Sequence, residues 1–190
     1  MTIESFYGDW RLYNDLIVEA LRGMSPDELA LRAAPEEHVP ANLDSSMSWP
    51  IWAIAGHTAS TRVYWFCNFL GLPGWETTPF WGVEDGWEDH LDQPRSSEEL
   101  VAAWTTTWAI IEGVLRTWTP EMLDEPMSPE GEKAAAHLTR RSLIHRMMFH
   151  EAFHAGEIAV IQGIHGRPQI DLWPPGYHTV EAAAARKSGT

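Results

Sequence analysis

The sequence predicts an all-α fold, a four-helix bundle in which long loops join helices two and three and helices three and four. Four long segments carry the spacing of three and four residues that is typical of amphipathic helices. The chain contains neither an internal repeat nor a strand-rich region, and its 190 residues are the length of one domain. We therefore predict one helical-bundle domain over residues 1–180 and a flexible tail over residues 181–190.

The first two helices are predicted from their apolar stripes. The first extends from about Thr2 to Arg22, where Gly23 ends it. Its stripe consists of Phe6, Trp10, Tyr13, Ile17 and Ala20. The second extends from about Trp49 to Leu70, and Arg62 is its one formally charged residue. Because this helix is apolar on both sides, we expect one face to lie in the bundle and the other to contact a partner subunit in a homodimer.

The last two helices have clear start and stop signals. Ser97 opens the third helix, and its stripe consists of Trp104, Trp108, Ile111, Leu115 and Trp118. Thr139 caps the fourth helix, which extends to about His165, where Gly166 follows.

Two connecting segments are long enough to carry function. The loop Gly71–Arg95 and the segment Asp171–Tyr177 are aromatic and adjoin the ends of predicted helices. We expect one of them to form the wall of a pocket for a small-molecule substrate. The other long segment, Thr119–His137, is irregular and is predicted to hold a short hairpin.

The charge and the cysteine content exclude several classes of protein. With 13 basic and 27 acidic residues the chain has a formal net charge of −14, so phosphate backbones and anionic membranes repel it. We therefore expect no nucleic-acid partner and no membrane association. The one cysteine, Cys67, precludes an intramolecular disulfide, and together with the acidic, aromatic N-terminus this favours the cytoplasm. Cys67 lies in an apolar run without basic neighbours, which makes it a poor nucleophile.

The fourth helix carries the most specific pattern. Its core-facing stripe consists of Leu143, Met147, His150, His154, Ile158 and Ile161. Histidines four residues apart project from one helix face about one turn apart, so His150 and His154 can offer two nitrogens to one metal. The pair is also compatible with two hydrogen-bonded core histidines. In the second helix, His57 lies well away from the best apolar stripe, so periodicity does not show that it faces the fourth helix.

Other polar residues near this pair are weaker candidates. Glu157 shares the face of His150 and His154 and is our candidate catalytic residue, either orienting an imidazole or acting as a base; it is equally compatible with a solvated position. Glu151 is expected on the surface, and His145 is expected on the surface or at an interface. His165 returns to the stripe but lies about 16 Å farther along the helix axis, too far to share a metal. The remaining histidines fall in predicted loops: His38, His90, His137 and His178.

The order of these motifs resembles that of the DinB/YfiT-like superfamily. The matching residues are Ala55-Gly56-His57-Thr58 in the second helix, then Met148–Ile158 and Gln162–Gly166 in the fourth, and the resemblance covers roughly residues 5–175. It implies that His57, His150 and His154 bind one divalent metal ion, zinc or nickel ahead of iron. It also implies an enzyme that transfers a low-molecular-weight thiol, the co-substrate, to an electrophilic small molecule.

The chemistry of three histidine ligands leaves alternatives open. Neutral imidazoles leave a bound ion its full charge and at least one open position, where a thiol or a water can be deprotonated. The same site therefore suits a thiol transferase, our leading hypothesis, or a metal-dependent hydrolase. A non-catalytic metal-binding bundle is the third hypothesis, and it would require a site closed by a fourth protein ligand.

Overall fold

The computed structural model describes residues 1–34, 38, 48–127 and 138–172. Four main helices form the bundle in these ranges, with no β-sheet: α2 (Asp9–Arg22), α4 (Ile51–Val63), α5 (Ser97–Thr117) and α6 (Arg140–Ile164). Two short helices, α1 (Glu4–Tyr7) and α3 (Pro26–Leu29), flank α2. The predicted all-α four-helix bundle is confirmed. No helix in the described ranges is both long and apolar enough to span a membrane.

The predicted first helix is divided at Gly8 into α1 and α2. Trp10, Ile17 and Leu21 are buried along α2, as a helical stripe requires. Placing Phe6 in that stripe was wrong, because Phe6 belongs to the separate α1 and is 62% exposed.

The centre of the bundle is α4, the predicted second helix. Ten of its 13 residues are buried, because it packs against α5 on one side and α6 on the other. The expectation that α4 offers a face to a partner subunit was therefore wrong: its apolar circumference is covered within the chain. The homodimer itself stays a prediction. After Val63 the helix widens into a π-helical turn, Tyr64–Phe69.

Side-chain caps fix the starts of the two longest helices. Ser96 accepts a hydrogen bond from the backbone of Glu99 at the start of α5, and Thr139 accepts one from Ser142 at the start of α6. The predicted starts of the third and fourth helices are thus confirmed, and the fourth helix ends within one residue of its predicted end.

The connecting segments contain short 3-10 helices. The loop Gly71–Arg95 includes Trp75–Thr77 and Trp87–Asp89, and the segment after α5 includes Pro120–Asp124. An isolated antiparallel bridge joins Pro126 to Thr139. The expected hairpin falls largely on residues 128–137 and the proposed tail on residues 181–190, which lie outside the described residues.

A buried ion pair crosses the core between α4 and α6. Arg62 is fully buried, and its Nε donates a hydrogen bond of 2.8 Å to Oε1 of Glu151. Trp10 Nε1 donates to the other carboxylate oxygen at 2.7 Å, and the guanidinium lies 4.4 Å from the ring centroid of Trp104. The expectation that Glu151 lies on the surface was wrong: it is 4% exposed. Glu151 is buried because Arg62 pairs with its charge.

Candidate metal centre

Three histidine side chains from two helices converge beside the core. His57 comes from α4, and His150 and His154 come from α6. Nε2 of His150 lies 3.2 Å from Nε2 of His57 and 3.1 Å from Nε2 of His154. The candidate ligand atoms all lie within 4.8 Å of one another. The structure thus brings together the three histidines that the sequence singled out.

The packing of α4 on α6 explains this convergence. The stripe of α6 faces the core as predicted, with His150 half-buried and its other members buried, and it directs His150 and His154 toward α4. The Arg62–Glu151 pair joins the same two helices, and Glu151 lies between the two histidines in sequence. This ion pair therefore fixes the rotation of α6 and with it the direction of both imidazoles.

Two carboxylates orient two of the imidazoles. His57 Nδ1 donates a hydrogen bond to Oε1 of Glu88, and His154 Nδ1 donates to Oε2 of Glu157, each at 2.5 Å. When Nδ1 carries the proton, the lone pair lies on Nε2, which is the atom that faces the other histidines. Such pairs of carboxylate and imidazole are typical outer contacts of metal-binding histidines.

The arrangement fits a divalent ion bound by three imidazoles. With metal–nitrogen distances near 2.1 Å, the nitrogens of a tetrahedral site are about 3.4 Å apart, close to the 3.1 and 3.2 Å seen here. Burial, together with His154, His57 and Arg146, lowers the pKa of His150 from 6.5 to about 3. His150 is therefore neutral at pH 7, and its lone pair is available to a metal.

The loop Gly71–Arg95 positions Glu88 beside His57 through the packing of the neighbouring residue, Trp87. A Cβ atom on Gly56 would lie 2.8 Å from the Trp87 ring, so only glycine allows this indole to pack directly on α4. Arg95 covers the ring, with its guanidinium 4.8 Å from the centroid. His57 follows Gly56 and Glu88 follows Trp87 in the sequence. The contact between Trp87 and Gly56 therefore places Glu88 beside His57.

A pocket of about 430 Å³ opens beside the cluster. His57 and His150 form part of its wall, so the cluster is reachable by a small molecule. The aromatic lining residues are Tyr64, Trp65, Trp75 and Phe80. Arg146 also lines the pocket, with its guanidinium 5.0 Å from the Trp65 ring. The loop Gly71–Arg95 thus supplies one wall of the pocket, as expected. The alternative segment was Asp171–Tyr177, of which residues 173–177 lie outside the described residues.

The other polar candidates lie away from the cluster. His145 and His38 are exposed, and His165 contacts the backbone carbonyl oxygen of Arg32 instead. His90 belongs to the loop and lies 3.7 Å from Asp85, whereas residues 137 and 178 lie outside the described ranges. Burial raises the pKa of the Cys67 thiol to about 11, which agrees with its assessment as a poor nucleophile.

We predict that Glu88→Ala weakens the binding of a divalent ion roughly ten- to a hundredfold, because His57 Nδ1 loses its acceptor. Calorimetric titration of Zn²⁺ into metal-free protein measures the change. Glu84→Ala is the matched control, since Glu84 lines the same pocket but is exposed. Equal affinities in the two variants would show that Glu88 does not support the site.

Comparison with known proteins agrees with the fold. The structure is similar to that of a DinB-like protein from Bacillus cereus, with a TM-score of 0.62 and 16% sequence identity over 90% of this chain and 98% of that chain. At this identity the likeness shows the fold alone. No curated protein matches the chain. The family model of the DinB superfamily matches residues 11–158, which include all three histidines. Because this match spans well over half of the sequence, the chain belongs to the DinB superfamily.

Proposed function

We propose that this protein is a metal-dependent enzyme that transfers a low-molecular-weight thiol to an electrophilic small molecule. The observation that carries the proposal is the position of the three-histidine cluster: His57 and His150 form part of the wall of an open, aromatic pocket. The cluster within the described ranges consists of three histidines and no fourth ligand. A purely structural site is normally closed by four protein ligands.

The chain provides the ligands and their orientation. His57, His150 and His154 would hold the ion, while Glu88 and Glu157 keep two imidazoles in the tautomer that presents Nε2. A bound divalent ion supplies a positive charge that lowers the pKa of a thiol or a water at its open position. Orienting an imidazole is the role we now assign to Glu157.

The nucleophile is proposed to come from a co-substrate. Cys67 is buried and its pKa is raised to about 11, so it remains a neutral thiol at pH 7. A thiol co-substrate in the pocket would lose its proton to solvent water, and its sulfur would then bond to the electrophilic carbon. The leaving group departs with the electron pair of the bond that breaks. The aromatic walls suit a substrate with an apolar or aromatic body.

The engagement of the nearby carboxylates favours transfer over hydrolysis. Glu88 and Glu157 each accept a hydrogen bond from an imidazole. We assign both carboxylates to orienting the imidazoles, which leaves no dedicated acid for a poor leaving group, and hydrolysis of most esters and amides requires such an acid. Transfer to a carbon that bears a good leaving group has no such requirement.

A thiol-dependence assay tests the proposal. Protein loaded with Zn²⁺ or Ni²⁺ is given an activated haloarene with bacillithiol, mycothiol, glutathione or no thiol. We expect turnover that needs both the metal and one of the thiols. Cys67→Ser should leave the rate unchanged, since the chain's own thiol takes no part. Metal-dependent turnover without any thiol would establish the hydrolase instead, and a bound metal without turnover of any substrate would favour the non-catalytic bundle.

A further inference from the structure

One face of α6 exposes a row of large apolar side chains to solvent. Phe149, Phe153, Val160 and Ile164 are 76%, 63%, 57% and 62% exposed, respectively. At 3.6 residues per turn, these four residues and Gly156 lie within about 80° of arc. They expose on the order of 400 Å² of apolar surface, and contiguous patches of this size commonly mark interaction sites. We call this row the α6 stripe.

The α6 stripe is symmetric about its own midpoint. Phe153 and Val160 lie equally far on either side of the bond between Gly156 and Glu157, and so do Phe149 and Ile164. Two copies of such a helix, packed antiparallel, bring Phe153 of one against Val160 of the other and Phe149 against Ile164. A two-fold interface has this property: each residue pair occurs twice.

Glycine at the midpoint is not required by any packing contact among the residues that the structure describes. A Cβ atom on Gly156 would meet nothing within 4 Å, although glycine in a helix interior is less stable than alanine. A glycine at a crossing point allows two helix backbones to approach closely. Beside it, Phe153, Val160 and Ile54 line an apolar groove of about 370 Å³, which is large enough for a phenyl ring.

We infer that α6 is a dimerisation helix: it packs antiparallel on α6 of a second copy of this chain, with the two-fold axis near Gly156. Glu157 also lines the groove beside the axis, and one of its carboxylate oxygens accepts a hydrogen bond from His154 Nδ1 at 2.5 Å. Phe153 also contacts the His154 ring, with centroids 5.2 Å apart. The interface therefore lies directly beside the metal ligands. The inference does not depend on the proposed reaction.

Sedimentation equilibrium of the full chain tests the association. We expect a dimer for the wild type and a dissociation constant about thirtyfold weaker or more for Phe153→Asp. Phe6→Asp is the matched control, because Phe6 is 62% exposed on α1, and it should leave the dimer intact. Gly156→Ala should weaken the dimer while the unfolding temperature of the monomer stays the same or rises. A wild type that is still monomeric at a protein concentration of about 100 μM would overturn the inference. A dimer whose dissociation constant does not change in Phe153→Asp would overturn it as well.

Cross-linking tests the register. One chain carries Phe153→Cys, the other carries Val160→Cys together with a mass tag, and both are oxidised as a mixture. We expect disulfides between unlike chains, because the paired positions face each other. A mixture of Phe149→Cys and Phe153→Cys chains is the control, since these positions would lie about 16 Å apart along the axis, beyond disulfide reach. Equal cross-linking in both mixtures would contradict the antiparallel pairing.

Discussion

Arg62→Ala should destabilise the protein by about 3–5 kcal/mol, because it leaves the carboxylate of Glu151 charged and unpaired in the core. A domain has only about 5–15 kcal/mol of stability in total, so the unfolding temperature should fall by roughly 10–15 °C. Urea denaturation followed by tryptophan fluorescence measures the free energy of unfolding. The variant should also bind metal more weakly, since α6 loses the contact that fixes its rotation.

The control for this prediction replaces both partners. Arg62→Met combined with Glu151→Leu should be much closer to the wild type in stability than either single change, because no buried charge is left unpaired. Arg116→Ala, which breaks an exposed ion pair with Glu112, should cost less than about 1 kcal/mol. A loss below about 1 kcal/mol for Arg62→Ala would show that the pair does not hold the two helices.

His150→Ala combined with His154→Ala should abolish stoichiometric metal binding. The wild type is expected to carry about one divalent ion per chain, and each imidazole lost should weaken binding roughly a hundred- to a thousandfold. Elemental analysis of protein dialysed against trace metal measures the content. His145→Ala is the control on the same helix, because His145 is exposed and away from the cluster. Equal metal content in wild type and double variant would refute the three-histidine site.

Local signals explain which parts of the fold could be predicted. The capping residues Ser96 and Thr139 and the long stripes of α5 and α6 are readable from sequence, because each acts within a few residues of its own helix. The two sides of α4 could not be assigned, since an apolar circumference is compatible with a central helix and with a subunit interface. Its central position depends on contacts with helices that lie far away in sequence.

The residues of the candidate site likewise divide into those that local spacing predicts and those whose contacts depend on distant parts of the sequence. The spacing of His150 and His154 gives their common face directly, whereas His57 could be assigned only through resemblance to a family. Glu88 was missed, because its contact with His57 spans 31 residues and depends on the docking of a loop. The available signal was indirect: Gly56 next to His57, and Trp87 next to Glu88. Glu151 was misplaced because a charged residue is expected outside unless its partner is known, and Arg62 lies 89 positions away.

The packing of Trp87 on Gly56 couples the docking of the loop Gly71–Arg95 to the binding of a cation at the three histidines. The docked loop brings Glu88 to His57, so docking strengthens the binding of a cation by some factor. Thermodynamic reciprocity then requires that the cation strengthen the docking of the loop by the same factor. Because this loop also forms one wall of the pocket, occupancy of the metal centre shapes the surface that a substrate would meet. Cation and substrate are thus expected to bind cooperatively, even where they share no direct contact.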